Sequence, residues 1–346
     1  MSHAVDLIVN RQNAIAEGTA QPLPIPKFDT YTICNLRGGI GKTSLVFNLA
    51  FEIDDLLVVD TCPQGNLSYF FDEQYYQNNN LTVFNLLMPY FIPGLGYATR
   101  VARKIEATNQ HFKDKNIFFI PSTEELYVLP SQMANALAQA KSLSGALQTK
   151  TIDNMLLSLK QEIKKEQKII KTKRCLIDTS PFFSGATHLS WHASDALIVP
   201  VRTDQQSINS LNLLLNTLSD STSEFRKTMP SNQHTPHIQM VVLTHCGWST
   251  SEGSRNRPNQ QTKLYVEKVR DIVARHIAHF TTQNPDNHIV LLDDFLGSGR
   301  ISSAQSKPIK LLNPGESKTI YRVKTTVNES VKKIQAQLKF ISDSIW

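Results

Sequence analysis

The sequence has no long apolar run, and this shortage limits what the protein can be. None of its 346 residues lies in an uninterrupted apolar run of eighteen or more, the length that a membrane-spanning helix needs. The longest candidate, residues 81–97, is interrupted by prolines and glycines. The start of the sequence also lacks the basic segment followed by an apolar core that marks a secretion signal. We therefore expect a protein of the cytoplasm.

Cysteines are few, and they are far apart. No two of the four form a C-x-x-C pair; they are Cys34, Cys62, Cys175 and Cys246. Disulfide frameworks and zinc sites within one chain usually show paired spacing. Thiols in or beside apolar runs suit the reduced cysteines of a cytoplasmic protein instead. The spacing therefore favours neither a disulfide nor a metal–thiolate cluster.

The remaining composition is that of an ordinary globular protein, with 40% apolar and 19% charged residues. The formal net charge of +6 is compatible with a polyanionic partner but does not require one. Two polar stretches, residues 69–80 and 249–262, are typical of surface loops.

From residue 30 onward, apolar strand-like runs alternate with helical patterns. This alternation is typical of an α/β fold with a doubly wound, mostly parallel sheet and helices on both faces. A short helical pattern and a proline-rich linker precede it. We predict an N-terminal helical arm over residues 1–29 and one α/β domain over residues 30–346. The predicted strands are residues 31–36, 56–60, 116–120, 175–179, 196–201, 238–244 and 289–292.

A glycine-rich turn lies between the first predicted strand and the helical pattern that follows it. Residues 37–44 read Arg-Gly-Gly-Ile-Gly-Lys-Thr-Ser, in the strand–loop–helix context of a phosphate-binding loop. Backbone N–H groups of such a loop turn towards an anion, and the helix N-terminus adds partial positive charge. Lys42 can reach the β- and γ-phosphates, and Thr43 can bind Mg²⁺. The predicted phosphate cradle consists of Gly38, Gly39, Ile40, Gly41, Lys42, Thr43 and Ser44.

The loop departs from the strict G-x-x-x-x-G-K-[ST] pattern at one position. The chain has Leu36 where that pattern has glycine. What stands here is a deviant form, in which a basic residue and two glycines precede the Gly-Lys-Thr. A tight turn without a ligand is the alternative, and the strand–loop–helix context favours nucleotide binding over it.

Two further predicted strands end in carboxylates, at Asp60 and Asp178. Ligands of open parallel sheets bind at the carboxyl ends of the strands, so both side chains are expected near Lys42. Asp178 fits the carboxylate that holds the Mg²⁺ shell, usually through water. Each aspartate alone could be a strand-end turn former. Together with the glycine loop they predict a metal shell made by Thr43, Asp60 and Asp178.

These motifs resemble those of the ParA/MinD group of deviant-Walker ATPases, the ParA partition branch in particular. The resemblance covers about residues 30–340, and it fails at Arg37 and Cys62. The family's motifs K-G-G-x-G-K-T-[ST], D-x-D-P-Q-G-N and an apolar strand ending D-x-x-P match, in that order, residues 37–44, 60–66 and 178–181.

The resemblance implies a molecular switch. ATP and Mg²⁺ would be its cofactors, and two ATP molecules would be sandwiched in a homodimer. The ATP-bound dimer would bind DNA without sequence preference, and a ParB-like centromere-binding partner would stimulate hydrolysis. The expected function is that of a ParA-like ATPase for plasmid or chromosome partition, located in the cytoplasm and associated with the nucleoid.

Arg37 takes the position of the family's signature lysine, which reaches across the dimer to the phosphates of the other subunit. An arginine offers a forked set of donors to phosphate oxygens. We predict that Arg37 keeps this role, and its alternative is contact with solvent or a local carboxylate.

Cys62 replaces the aspartate that the family associates with the attacking water. A thiol is a weak hydrogen-bond acceptor and is mostly protonated at neutral pH. We predict slow hydrolysis unless another group positions the water, with Asp60 and Gln64 the nearest candidates. The alternative function is an ATP-locked dimer that acts as a binding or scaffold protein with little turnover. The predicted catalytic residues are Lys42, Arg37, Asp60 and Cys62.

Basic residues are concentrated near the C-terminus, where ParA-like proteins carry DNA-contacting side chains. Phosphate contacts of this kind give salt-sensitive binding without sequence preference. Another basic stretch, residues 160–174, is typical of a solvated helix face. The DNA-binding candidates are Lys310, Lys318, Arg322, Lys324, Lys332 and Lys333.

The last helical pattern has an apolar stripe from Val327 to Ile345. A MinD-like membrane-targeting helix would look similar, but packing in the core explains such a stripe more often. A membrane-positioning ATPase is therefore an alternative, and we do not expect a membrane partner.

Overall fold

The computed structural model describes residues 3–77, 81–183, 185–231, 233–249, 257–320 and 322–346. Eight strands form the central sheet: β1 (Thr30–Ile33), β2 (Leu56–Asp60), β3 (Arg103–Lys104), β4 (Ile117–Ile120), β5 (Arg174–Asp178), β6 (Ala196–Arg202), β7 (His237–Cys246) and β8 (Ile289–Asp293). Their order is β3-β4-β2-β5-β1-β6-β7-β8. Neighbouring strands are parallel except at the edge, where β3 runs antiparallel to β4.

The helices are α1 (His3–Glu17), α2 (Lys42–Glu52), α3 (Asn66–Phe71), α4 (Val83–Leu87), α5 (Leu129–Lys141), α6 (Gly145–Leu156), α7 (Ser158–Ile170), α8 (Ala186–Ala193), α9 (Gln205–Ser219), α10 (Glu224–Lys227), α11 (Gln260–Arg275), α12 (Leu296–Gln305) and α13 (Val331–Ile345). A separate antiparallel hairpin, β9 (Ser317–Ile320) and β10 (Val323–Thr326), lies between α12 and α13.

Helices pack on both faces of the sheet, and β2 shows why. Successive side chains of a strand point to opposite faces. Leu56 and Val58 belong to the core that includes α2 and α13. Leu57 and Val59 belong to the core that includes α4, α5, α7 and α8. The doubly wound α/β fold and all seven predicted strands are confirmed.

Elements without a strong local pattern were not predicted. Strand β3 has two residues, too few to show an alternation, and the β9–β10 hairpin is mostly exposed. The two predicted polar loops are partly helical, because residues 69–71 belong to α3 and residues 260–262 to α11. Residues 78–80 and 250–256 of these loops lie outside the described part of the chain.

The apolar stripe of the last helix is buried. Val331, Ile334, Leu338, Ile341 and Ile345 have at most 1% of their surface exposed, so α13 contributes this face to the core. Within the described residues, none of the helices has the length and apolarity that crossing a bilayer requires.

The N-terminal segment packs on the body of the protein. Ile8 and Ile15 of α1 are buried there. The guanidinium of Arg11 donates to the carbonyl oxygens of Asp286 and Ile289. Residues 3–17 are thereby fixed beside the edge of the sheet at β8.

The topology brings the three predicted motifs to one edge. Strand β5 lies between β1 and β2, with all three parallel. Asp60 and Asp178 are opposite each other in the register of β2 and β5. The glycine loop that follows β1 therefore faces both carboxylates at the carboxyl ends of the strands.

Candidate active site

Two glycines shape the loop between β1 and α2. Gly39 and Gly41 have φ angles of 70° and 89°, in the left-handed region that glycine adopts without a steric penalty. Gly41 is the N-cap of α2. The first turn of this helix, Lys42 to Ser44, therefore presents N–H groups without partners inside the helix. This arrangement suits an anion.

The Lys42 side chain bends back over the loop. Its ammonium donates to the carbonyl oxygens of Asn35 at 3.2 Å and Arg37 at 2.8 Å. Only 7% of the residue is exposed. Burial lowers the pKa of Lys42, and the nearby Asp178 opposes this shift. Lys42 thus lies at the loop, close to a buried carboxylate.

Asp178 and Thr43 make a site that fits Mg²⁺. The Thr43 hydroxyl donates to Oδ2 of Asp178 at 2.8 Å. The other oxygen, Oδ1, is buried and has no hydrogen-bond partner among the described residues. A buried carboxylate oxygen is costly without a partner, and Mg²⁺ or a water of its shell would supply one. The structure thus leaves at Asp178 the vacant ligand position that a metal requires.

Asp60 differs from Asp178 in its hydrogen bonds. Its Oδ1 accepts from the Cys62 N–H at 3.0 Å, and its Oδ2 accepts from the N–H and hydroxyl of Ser68 at 2.9 and 2.8 Å. These bonds hold the turn that carries Cys62. The predicted role of Asp60 as a metal ligand is therefore corrected: it organises this turn, and Asp178 with Thr43 provides the metal position.

The two aspartates share a dry environment. Burial raises the pKa of Asp60 to about 6. Burial, and then the charge of Asp60, raise the pKa of Asp178 to about 7. Like charges in adjacent register positions cannot both ionise easily. A divalent cation at Asp178 would favour the ionised pair.

Cys62 lies beside these carboxylates. Burial, then Asp60 and Asp178, raise the pKa of its thiol to about 12. The thiol is therefore protonated at neutral pH and offers no negative charge. Its carbonyl oxygen accepts from Ser122 at 2.6 Å. Position 62 is thus in the site, but its side chain does not do what a carboxylate would do there.

Arg37 contacts the start of α9 in the single chain. Its guanidinium donates to the carboxylate of Asp204, to the hydroxyl of Ser207 and, at 3.0 Å, to Oε1 of Gln206. Asp204 also caps α9 by accepting from the Ser207 N–H at 2.9 Å. The alternative contact with a local carboxylate is the one that this chain shows. Contact with a second subunit stays a prediction.

A cavity of about 1130 Å³ opens beside the loop, large enough for a nucleotide. Sequence reasoning missed its walls, although the rule that ligands bind at strand ends could have indicated the ends of β7 and β8. The lining residues include Gly39, Gly41 and Ser44 of the loop, Thr244, His245, Asp293 and Asp294 at those strand ends, and Lys318 and Thr325 of the hairpin.

Five of the six DNA-binding candidates are at least partly exposed. Lys318, Arg322 and Lys324 lie on the β9–β10 hairpin. Lys310 pairs with Glu52 at 3.5 Å, and Lys332 pairs with Glu329 at 3.3 Å.

Lys333 does not belong to this basic surface. Its side chain is 12% exposed, and its ammonium lies 3.6 Å from a carboxylate oxygen of Asp293 and over the ring of Trp248. A lysine held by these two partners is not available for phosphates. The structure therefore corrects its assignment as a DNA-binding candidate.

A family model described as an AAA domain matches residues 29–230. The chain belongs to this family. The resemblance to ParA/MinD-type P-loop ATPases is confirmed by this match together with the fold.

Two similar proteins share part of the sequence. An uncharacterized protein of Mycobacterium tuberculosis is 26% identical over 190 residues, which cover 54% of this chain and 50% of that protein. An uncharacterized protein of Methanocaldococcus jannaschii is 28% identical over 199 residues, which cover 55% of this chain and 64% of that protein. The matched segment thus spans half to about two thirds of these relatives.

Solved structures share the fold over most of the chain. An ATP complex of McdA from Cyanothece matches with a TM-score of 0.56 and 18% identity, over 90% of this chain and 95% of that one. A plasmid partition protein from Borrelia burgdorferi bound to AMPPNP matches with a TM-score of 0.52 and 15% identity, over 91% of this chain and 98% of that one. At these identities the similarity shows a common fold.

The raised pKa of Asp178 predicts how stability depends on pH. The folded protein without nucleotide holds a proton there that the unfolded chain loses above about pH 4. This contribution to stability is lost as pH rises towards about 7. Asp178→Asn, which stays neutral, should therefore gain stability relative to wild type across this range, on the order of a few kcal/mol. Urea unfolding at several pH values measures the difference. A difference that does not change with pH would contradict the buried, protonated Asp178.

Proposed function

We propose that the protein is an ATPase switch of the ParA type, which binds ATP with Mg²⁺, dimerises around it and then binds DNA without sequence preference. The observation that carries this proposal is the meeting of three features at one sheet edge. These are the glycine loop, the Thr43–Asp178 pair with its vacant oxygen, and the large cavity.

The phosphates would lie against the first turn of α2. Its free N–H groups and the Lys42 ammonium would neutralise the β- and γ-phosphates. A phosphate oxygen would compete for the ammonium with the carbonyl oxygens that it contacts in this structure. Thr43 and Asp178 would hold Mg²⁺, which neutralises the charge that develops on the phosphates. Gly38, Gly39, Ile40 and Ser44 complete the cradle.

Hydrolysis would proceed by attack of water on the γ-phosphorus. The bond to the oxygen that bridges the β- and γ-phosphates breaks, ADP leaves, and the proton of the water passes to the phosphate product. Lys42 stabilises the oxygens of the transferred group. A protonated Cys62 thiol cannot act as a base or orient the water through charge. We therefore propose that turnover is slow.

Two copies of the chain would face each other through the loop edge. Arg37 would leave Asp204 and reach the phosphates of the partner. The carboxylate that it leaves and the phosphate that it reaches are both anions, and arginine binds either through its fork of N–H donors. A ParB-like protein would be the partner that stimulates hydrolysis, and plasmid or chromosome DNA the cargo, in a nucleoid-associated cytoplasmic protein.

The first test measures nucleotide uptake and assembly. The wild type should bind ATP with Mg²⁺ and change from monomer to dimer, measured by calorimetry and by light scattering after size exclusion. Lys42→Ala should lose at least about tenfold in affinity, because the phosphates lose a buried cation. Arg37→Ala should bind ATP but stay monomeric, whereas Arg37→Lys should dimerise. A wild type that takes up no ATP, or stays monomeric when loaded, would refute the proposal.

The second test addresses position 62. If the missing carboxylate limits turnover, Cys62→Asp should raise kcat for ATP hydrolysis by about tenfold or more, because a carboxylate can orient the water. Cys62→Asn has the volume of the aspartate without its charge and serves as the control. Phosphate release under saturating ATP gives the rates. Equal rates in wild type and Cys62→Asp would show that this position is not limiting.

The same measurement separates the switch from a scaffold. A wild type that dimerises with ATP but does not turn over, even with DNA and a partner present, favours the ATP-locked binding protein. The protonated state of Cys62 is the observation that supports this second candidate.

The third test concerns DNA. The double variant Arg322→Ala and Lys324→Ala removes two cations from the hairpin. It should weaken DNA binding of the ATP form and lower the slope of log K against log salt by about 2, near 1 for each phosphate that is no longer neutralised. The control, Lys164→Ala with Lys168→Ala, removes the same charge from exposed positions of α7. Fluorescence anisotropy over a salt series is the measurement. Equal losses in both variants would show an unspecific effect of net charge.

A further inference from the structure

A buried tyrosine lies on the Cys62 side of the site. Tyr75 belongs to the turn after α3, and 5% of its surface is exposed. Its hydroxyl is buried and has no hydrogen-bond partner of normal geometry among the described residues. A phenol usually finds a partner when it is buried. The hydroxyl therefore has unused hydrogen-bonding capacity.

Gly65 lets this hydroxyl approach the turn that carries Cys62. A Cβ atom on Gly65 would lie 1.7 Å from the Tyr75 hydroxyl oxygen, so any other residue here would displace the phenol. The Gly65 N–H donates to the Cys62 carbonyl oxygen at 2.9 Å. The Tyr75 hydroxyl and Cys62 are thus at opposite ends of one tight turn.

The ring of Tyr75 is held in place by its neighbours. It lies against the ring of Tyr76, with 3.8 Å between the centroids. The Tyr76 hydroxyl donates to the Gln64 carbonyl oxygen at 3.0 Å, and the Tyr75 N–H donates to the Asp72 carbonyl oxygen at 3.1 Å. Asp72 in turn lies 3.5 Å from the guanidinium of Arg103. A hydroxyl fixed in this way can orient a small ligand.

The hydroxyl is neutral. Burial, then the neighbouring Tyr76 and the charges at Asp60 and Cys62, raise the pKa of Tyr75 well above its ordinary value. The phenol therefore keeps its proton and can both donate and accept one hydrogen bond. The influence of Asp60 and Cys62 also shows that the phenol is close to the second motif.

We propose that Tyr75 is a positioning residue for the attacking water, on the side of the site where Cys62 supplies no carboxylate. Its oxygen would accept a hydrogen bond from the water and hold it in line with the γ-phosphorus. The phenol takes no proton, since the water's proton passes to the phosphate product. This inference rests on the proposed ATPase function.

The test compares two tyrosine variants. Tyr75→Phe should lower kcat about tenfold and leave the Kd for ATP with Mg²⁺ within about twofold, since one hydrogen bond to the water is lost. Tyr76→Phe removes the neighbouring hydroxyl from the same ring pair and should change kcat less than about twofold. Because Tyr75 has an unpaired hydroxyl, Tyr75→Phe should unfold at the same temperature as wild type or higher. A lower unfolding temperature would reveal a structural partner and overturn the proposal.

A second background separates positioning from packing. In Cys62→Asp the new carboxylate orients the water, so adding Tyr75→Phe should cost less than about threefold in kcat. The same tenfold loss in both backgrounds would show that Tyr75 acts through structure alone. Equal kcat in wild type and Tyr75→Phe, including turnover undetectable in both, overturns the inference while ATP binding is intact. Failure of every variant to bind ATP would instead overturn the proposed function.

Discussion

The burial of two carboxylates side by side is the constraint on which the site depends. Asp60 and Asp178 end adjacent parallel strands, and neither is more than 1% exposed. Desolvation and mutual repulsion make this arrangement expensive. The chain resolves it unequally, because Asp60 receives three hydrogen bonds from its own turn while Asp178 keeps one oxygen without a partner among the described residues. That inequality separates a structural aspartate from one suited to a metal.

The central sheet could be predicted because its strands are buried on both faces. Such strands appear in the sequence as short apolar runs bounded by turn residues, and all seven were found. Strand β3 and the β9–β10 hairpin have no such run. Lys333 shows a different limit. Its sequence neighbours indicate a basic surface, but its partner Asp293 lies on another element, forty positions earlier, and only the fold brings the two together.

The core of the site could also be predicted, since Lys42, Thr43 and the glycines lie in one short motif. Contacts between distant segments could not. The hydrogen bonds of Asp60 to Ser68, the pairing of Arg37 with Asp204 and the approach of Tyr75 to Gly65 all depend on how turns pack. The cavity walls at β7 and β8 carry no motif and became visible when the strand ends were placed.

The end of α13 braces the strand that leads into the glycine loop. The Tyr31 hydroxyl on β1 donates to the carbonyl oxygen of Ile345 at 2.9 Å, and the Trp346 indole N–H donates to the carbonyl oxygen of Phe28 at 3.0 Å. The rings of Tyr31 and Trp346 also meet edge to face. A tag or fusion attached directly after Trp346 would therefore pull on the segment that supports the phosphate cradle, whereas a label on the exposed hairpin would leave this brace undisturbed.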